Sequence, residues 1–210
     1  VVLITIDRPE VRNAVDGPTA TELAAAFRRF EANDDLAVAV LTGSSGCFCA
    51  GADLRAVSDG RGNRVSAEGD GPMGPSRMLL SKPVIAAVEG FAVAGGLELA
   101  IWCDLRVAAE DAVFGVTEAR RGLFPLGGSS VRLRRQIPYT LAAEILLTAR
   151  HVTAREALDF GLIGRVVPKG ETLAEARRIA ATICDNGPLS IRALMRMLRE
   201  RSEEHTSELQ

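Results

Sequence analysis

Residues 83–100, PVIAAVEGFAVAGGLELA, constrain the fold more than any other stretch of the chain. PVIAAV is short, apolar throughout and rich in β-branched side chains, which reads as a strand buried on both faces, as in parallel sheets. A small-residue turn follows, and Gly95 and Gly96 then open an apolar helix, LELAIW. A strand that enters a helix through such a turn leaves main-chain N–H groups without intrahelical partners, and the helix dipole adds positive charge at the same place. Gly95 can therefore offer its N–H to an anion with no side chain in the way. The bland alternative is a glycine pair that merely lets helix and strand pack closely. Glu98 is out of character in that helix, because a carboxylate is seldom buried without a partner.

The same succession appears elsewhere. Residues 37–42 (AVAVLT) read as a second buried strand, followed by a Gly- and Ser-rich turn and by FCAGADL, where a short helix starts near Asp53. Residues 1–7 alternate as a strand and 8–14 (RPEVRNA) form a loop. Thr19 or Thr21 is the expected cap of a helix running to about Asn33, with Leu23, Phe27 and Phe30 on its buried face. Residues 105–108 return to strand. From Ser129 onward the pattern is mostly helical, with a strand-like break at 163–167. Strands alternating with helices predict an α/β domain with a helix-rich C-terminal region. Residues 58–76, rich in Gly, Asp and Ser, are expected to be a mobile surface loop of the kind that serves as a lid.

Bulk properties exclude several classes. A chain of 210 residues, 47% hydrophobic and 25% charged, suits one soluble domain, and its net charge of -2 gives no reason to expect nucleic acid or an anionic membrane as partner. No apolar run is long enough to span a bilayer, and four scattered cysteines argue against a disulfide framework or a zinc site. The cytoplasm is the expected location. Val1 opens directly into a strand, and the helical pattern of Ile191, Leu194, Met195 and Leu198 gives way to RSEEHTSELQ. The domain is therefore placed at residues 1–200, incomplete at both ends, and 201–210 read as a non-native, adapter-derived tail.

The turns at FCAGADL and at Gly95-Gly96 both stand at strand ends, and two such turns could converge on one oxygen; losing one such donor typically costs about 2.7–4 kcal/mol of transition-state stabilisation. A third cluster, FGVTE, ends in Glu118, which by itself reads as a solvated acid beside two arginines.

Taken in order, the motifs IDRPEVRNA, FCAGADL, KPVIAAVEGFAVAGGLELA, CDLRVAAEDAVFG, TEARRGLFPLGG and TAREALDFGLIGRVV resemble the enoyl-CoA hydratase/isomerase, or crotonase, superfamily across residues 1–200. The resemblance implies a spiral of repeated ββα units that assembles as homotrimers or hexamers. It implies an acyl-CoA thioester whose carbonyl accepts hydrogen bonds from the backbone N–H groups of Ala50 and Gly95. Glu98 and Glu118 match the two acidic positions of hydratases. Arg12, Ala14, Ala52, Asp53 and Leu54 match positions that line the CoA and adenine site, mostly through backbone atoms. Coenzyme A is then part of the substrate, and no metal or redox cofactor is implied. The implied reaction is hydration of a trans-2-enoyl-CoA, or its reverse, with Glu98 activating water and Glu118 supplying Cα with a proton. A carnitinyl-CoA-type dehydratase, a Δ3,Δ2-isomerase and a non-catalytic acyl-CoA-binding protein stay open beside it.

Other polar residues receive structural readings. His151 belongs to a helix-linking turn and His205 to the tail, so neither builds a nucleophile pair. Cys47 and Cys49 pack, Trp102 and Cys103 close the apolar helix against the core, and Arg132, Arg134 and Arg135 read as a solvated face, with phosphate contact the lesser alternative.

Overall fold

The computed structural model describes residues 1–66 and 68–207. Its elements follow in the order β1 (Val2–Ile6), α1 (Gly17–Ala32), β2 (Ala39–Gly43), α2 (Leu54–Ser58), β3 (Val84–Val88), β4 (Phe91–Val93), α3 (Gly95–Trp102), β5 (Leu105–Ala109) and β6 (Val113–Gly115). After them come α4 (Ser129–Gln136), α5 (Tyr139–Thr148), β7 (Val152–Thr153), α6 (Ala154–Asp159), β8 (Arg165–Val167), α7 (Thr172–Cys184) and α8 (Pro188–Ser207). Single 3-10 turns occupy Pro9–Val11 and Glu118–Arg121.

The apolar runs pair as expected. β1, β2, β3, β5 and β8 form one parallel sheet in that order, with Leu41 opposite both Ile4 and Ala86. A smaller sheet orders β4, β6 and β7, parallel in the first pair and antiparallel in the second. Cys49 joins it through an isolated parallel bridge to Ala92. Two passes of the chain give one strand to each sheet and then turn into a helix. β3, β4 and α3 make the full unit, and residues 39–58 repeat it with Cys49 alone as the second strand. This is the crotonase-type ββα spiral.

Both faces of the large sheet are covered, which is why its strands carry so few polar residues. Ala39, Leu41, Val84, Ala86 and Val88 meet Phe27 and Phe30 of α1 and Leu97, Leu99 and Ile101 of α3. On the other face Val40, Ile85, Ala87 and Val107 pack under Ala176 and Ala180 of α7. Trp102 closes α3 against this core: its ring stands edge-on to Phe27 at 4.7 Å between centroids, and its Nε1 donates to the Met78 carbonyl.

Four expectations are corrected here. Asp16, not Thr19 or Thr21, caps α1; its carboxylate accepts from the Thr19 N–H at 3.0 Å and from Thr19 Oγ1 at 2.7 Å. Gly17 and Pro18 fill the first helical positions, where proline loses no hydrogen bond, and this places Thr19 inside the helix. β4, β6 and β7 were not foreseen, because two or three residues are too few to show a period of two. The segment 58–76 is not surface loop throughout. Residues 72–76 are buried, and Gly74 at φ +96 lies so close to α1 that a Cβ there would stand 2.4 Å from the Ala20 carbonyl oxygen. Finally, α8 continues through Ser207 rather than ending near Glu200. Residues 201–207 contain neither glycine nor proline to stop it. The last three residues of the expected tail lie outside the described residues. Among the described residues no helix is long and apolar enough to cross a membrane.

Candidate active site

Glycines bring two strand-to-helix turns into contact. A Cβ on Gly96 would stand 2.0 Å from the Cys49 carbonyl oxygen, and one on Gly51 would stand 2.9 Å from Ala94 Cβ and 3.1 Å from the Gly95 nitrogen. Only hydrogen at both positions permits that approach. The turns are also laced together, with the Cys49 N–H donating to the Phe91 carbonyl and the Val93 N–H to the Cys49 carbonyl. Ala94 caps α3 at φ 52, ψ -128, an uncommon conformation for a residue with a Cβ. Gly95 follows as the first helical residue, and among the described residues its N–H has no acceptor.

The second main-chain donor differs from the one expected. The Ala50 N–H donates to the Arg12 carbonyl at 3.0 Å and so is already used. The loop reaches it because Arg12 and Asn13 both adopt positive φ, 54° and 57°. Two residues on, Val15 takes the Gly51 carbonyl and the Asp53 N–H takes the Val15 carbonyl. That bridge turns the Ala52 N–H away from residue 15, and it has no acceptor among the described residues. Ala52 and Gly95 line the same cavity. FCAGADL alone does not reveal which of its amides a distant loop consumes.

The cavity has a volume of about 980 Å3, and both acids stand on its wall. Glu98, 3% exposed, projects from the first turn of α3. Its Oε2 accepts from the Gly127 N–H at 2.8 Å, and its Oε1 accepts from the Ser129 N–H and Ser129 Oγ, both at 3.0 Å. Three donors occupy most of the acceptor capacity of a carboxylate and hold it in one orientation. A Cβ on Gly127 would fall 2.4 Å from Glu98 Oε2, so this contact also requires glycine. Glu118 begins the 3-10 turn Glu118–Arg121, and its Oε2 is buried with no hydrogen-bond partner. Burial pushes the Glu118 carboxyl up to about 7, and the charge of Glu98 acts in the same direction. Arg12, Arg120, Arg121 and His151 are the other charged or titratable groups on the wall. An acid whose burial raises its proton affinity, on the same cavity wall as a carboxylate fixed by three donors, is an arrangement that general acid–base chemistry can use.

The sequence model for enoyl-CoA hydratase/isomerase matches residues 1–210. The chain belongs to that family. It is 46% identical over 207 residues to enoyl-CoA hydratase EchA19 of Mycobacterium tuberculosis, a match covering 95% of this chain and 77% of that protein. It is 38% identical over 205 residues to carnitinyl-CoA dehydratase of Proteus mirabilis, covering 97% and 78%. The crystal structure of enoyl-CoA hydratase EchA1 from Mycobacterium marinum superimposes with a TM-score of 0.91 at 41% identity, covering 95% of this chain and 79% of that one.

Within this hydratase/isomerase fold, Arg12, Ala52 and Leu54 line the cavity. Ala14 and Asp53 do not line it; they brace its wall. Arg8 donates to the Ala14 carbonyl and forms ion pairs at 3.1 Å with Asp16 and Asp53. Asp53 caps α2, and the hydrogen bond from the Ala56 N–H, with the Arg8 guanidinium, holds its carboxyl below the usual range. His151, set aside as a turn residue, reaches the cavity. Arg132 is not a solvated side chain: Nη1 donates to the Gly127 carbonyl at 2.7 Å and Nη2 to the Ser76 carbonyl. Arg134 and Arg135 are exposed as expected.

Sequence reasoning missed Ser129, whose only signal was its place after a glycine pair at a helix start. It also missed Met73, whose thioether lies across Gly95, so that a Cβ there would stand 2.7 Å from Sδ. Nothing in a polar, aperiodic segment marks one methionine as part of a site.

Proposed function

We propose that this family member adds water across the Cα=Cβ bond of a trans-2-enoyl-CoA thioester and catalyses the reverse dehydration. One observation carries the reading: a buried Glu98 held by three donors shares a cavity wall with a Glu118 whose carboxyl keeps its proton up to about 7. Relatives named enoyl-CoA hydratase and carnitinyl-CoA dehydratase support it from the side of descent.

The thioester oxygen accepts hydrogen bonds from the Ala52 and Gly95 N–H groups, where the dipole of α3 adds positive charge. Electron density drawn toward that oxygen leaves Cβ electrophilic. A water between the acids attacks Cβ while giving one proton to Glu98, and Glu118 gives its proton to Cα. The cycle closes when Glu98 loses that proton and Glu118 regains one through water. Arg12, Ala52 and Leu54, at the same cavity, are the groups assigned to the CoA moiety. The sequence of steps requires neither metal nor redox cofactor. A Δ3,Δ2-isomerase needs only one proton-carrying acid, so the three donors spent on holding Glu98 favour the two-acid reaction. Assembly as trimers or hexamers belongs to the same reading, supported by Leu147 and Leu189, which are more than four-fifths exposed as single molecules stand.

The direct test follows loss of the enoyl thioester across a panel of acyl lengths. The pH profile tests the proton assignment. Hydration needs Glu118 protonated and Glu98 ionised; dehydration starts from the opposite placement of the same single proton. Both directions therefore share one profile, and kcat/KM should fall about tenfold per pH unit above ~7 in each. A profile still level at pH ~8, or a fall in one direction only, contradicts the assignment. The panel also tests Met73. Met73→Ala should raise the ratio of long-chain to crotonyl turnover by about 10-fold, the scale of a few methylenes in an apolar pocket. An unchanged ratio removes Met73 from chain selection.

A further inference from the structure

The orientation of Glu98 is set by a single turn, one residue of which, Gly127, stands on the cavity wall. All three of its donors come from residues 127–129, a turn in which Gly128 stands at φ +108 before α4 begins. The Gly128 carbonyl is held by the Val131 and Arg132 N–H groups at the start of α4, and the Gly127 carbonyl is left for a side chain. The Arg132 side chain, which does not line the cavity, reaches back over it from α4. Its Nη1 donates to the Gly127 carbonyl at 2.7 Å, while the N–H of the same residue donates to Glu98. Its Nη2 donates to the carbonyl of Ser76, at the end of the buried segment that lays Met73 across Gly95. A Cβ on Gly128 would stand 2.2 Å from Nη1, so that glycine is what admits the guanidinium.

We propose that Arg132 is a positioning residue for Glu98, its two-pronged guanidinium fixing the 127–129 turn that aims the carboxylate and tying it to the segment that carries Met73. The inference rests on the reading of Glu98 as the base that activates water. The charge is placed to help as well as the geometry: burial draws the Arg132 guanidinium below its usual range, and the negative charge of Glu98 acts against that, with Arg135 and Cys103 as the other nearby titratable groups. Lysine keeps the charge but cannot hold two carbonyls in a planar fork. Glutamine loses both.

A positioning role predicts a loss in kcat with little change in KM, because substrate is held by other groups. Misplacing a reacting group by about 1 Å costs on the order of 10²-fold. The experiment measures kcat, KM, Tm and the alkaline limb of the pH profile for Arg132→Gln, Arg132→Lys and the exposed control Arg134→Gln, each in the whole chain. Expected for R132Q is a kcat about 10²-fold lower, with KM within about threefold of the parent. R132K should recover part of that loss, and R134Q should match the parent. The alkaline limb should not drop below about 7: the charged or titratable groups sharing the cavity wall with Glu118 are Glu98, Arg12, Arg120, Arg121 and His151, and removing the Arg132 charge from beside Glu98 can only raise the proton affinity of the pair. General loosening would instead rehydrate Glu118 and move the limb toward an ordinary carboxylate. A parent-like kcat in R132Q overturns the proposal, and so does a loss accompanied by a lowered limb. Should R132Q fail to fold, R132K decides: reduced kcat with an unmoved limb supports the role, and parent-like kcat overturns it. Glu98→Gln, run alongside, separates the two readings. An active E98Q ends the assignment of Glu98 as base, whereas an inactive E98Q beside a fully active R132Q ends only the role of Arg132.

Discussion

Glu98→Gln and Glu118→Gln should each lower hydration of crotonyl-CoA by about 10²–10⁴-fold, the range for loss of one positioned acid or base, while CoA binding persists. The double variant should be little worse than the poorer single one, since the two acids act on one proton inventory and their effects are not additive. Turnover, CoA affinity and Tm measured on all three proteins check this, and unchanged turnover in both single variants would remove the mechanism. The two variants should part company in stability. Both oxygens of Glu98 accept hydrogen bonds from buried donors. A glutamine there presents an NH2 to one of them and leaves a donor unsatisfied, at about 1–3 kcal/mol. Glu118 is the opposite case, because its Oε2 has no partner to lose. Its folded-state value of about 7 lies above the ordinary 4.5, so the folded protein binds this proton more tightly than the unfolded chain does. Stability therefore falls as pH rises from about 4.5 to 7, and the penalty is complete above that. E118Q should accordingly gain Tm relative to the parent at pH ~8 and not at pH ~4. No such gain would mean that Glu118 is better solvated than its geometry indicates.

Gly96→Ala should abolish most activity by a different route. The added Cβ would lie 2.0 Å from the Cys49 oxygen and 2.8 Å from the Cys49 carbonyl carbon, both backbone atoms that cannot swing aside. The turn carrying Ala52 must then move off α3, and the two main-chain donors no longer point at one oxygen. Loss of one donor costs about 2.7–4 kcal/mol of transition-state stabilisation. Overpacking adds about 1–3 kcal/mol of destabilisation. Gly164→Ala is the control, since a Cβ there meets only the Arg106 carbonyl oxygen at 3.7 Å. It should leave kcat/KM alone. Parent-like activity in G96A would show that the two turns can separate without harm, and the shared oxyanion hole would have to be abandoned.

Much of this architecture was legible residue by residue. AVAVLT and PVIAAV announce strands covered on both faces, and LELAIW announces a buried helix whose lone carboxylate needs a reason. The glycine pair before Glu98 and the small residues of FCAGADL mark places where main chain is exposed to a ligand. These are local facts: periodicity, side-chain volume and the polarity of a single residue suffice to establish them. Glu118 was less legible, because its polar neighbours say nothing about burial. The motif order supplied that assignment, and the cavity shows the burial that raises its proton affinity.

Partner choice was settled only in three dimensions. Whether Ala50 or Ala52 presents a free N–H depends on where Arg12 places its carbonyl. That Ser129 and Gly127 hold Glu98, that Arg132 crosses their turn, and that Met73 covers Gly95 all depend on residues distant in the chain. A hydrogen-bonding group is spoken for only once the fold has brought its partner within about 3 Å, and no window of sequence contains both. Local pattern thus decided which elements form and where glycine is required; the tertiary contacts decided which amides, acids and cations stand free to act.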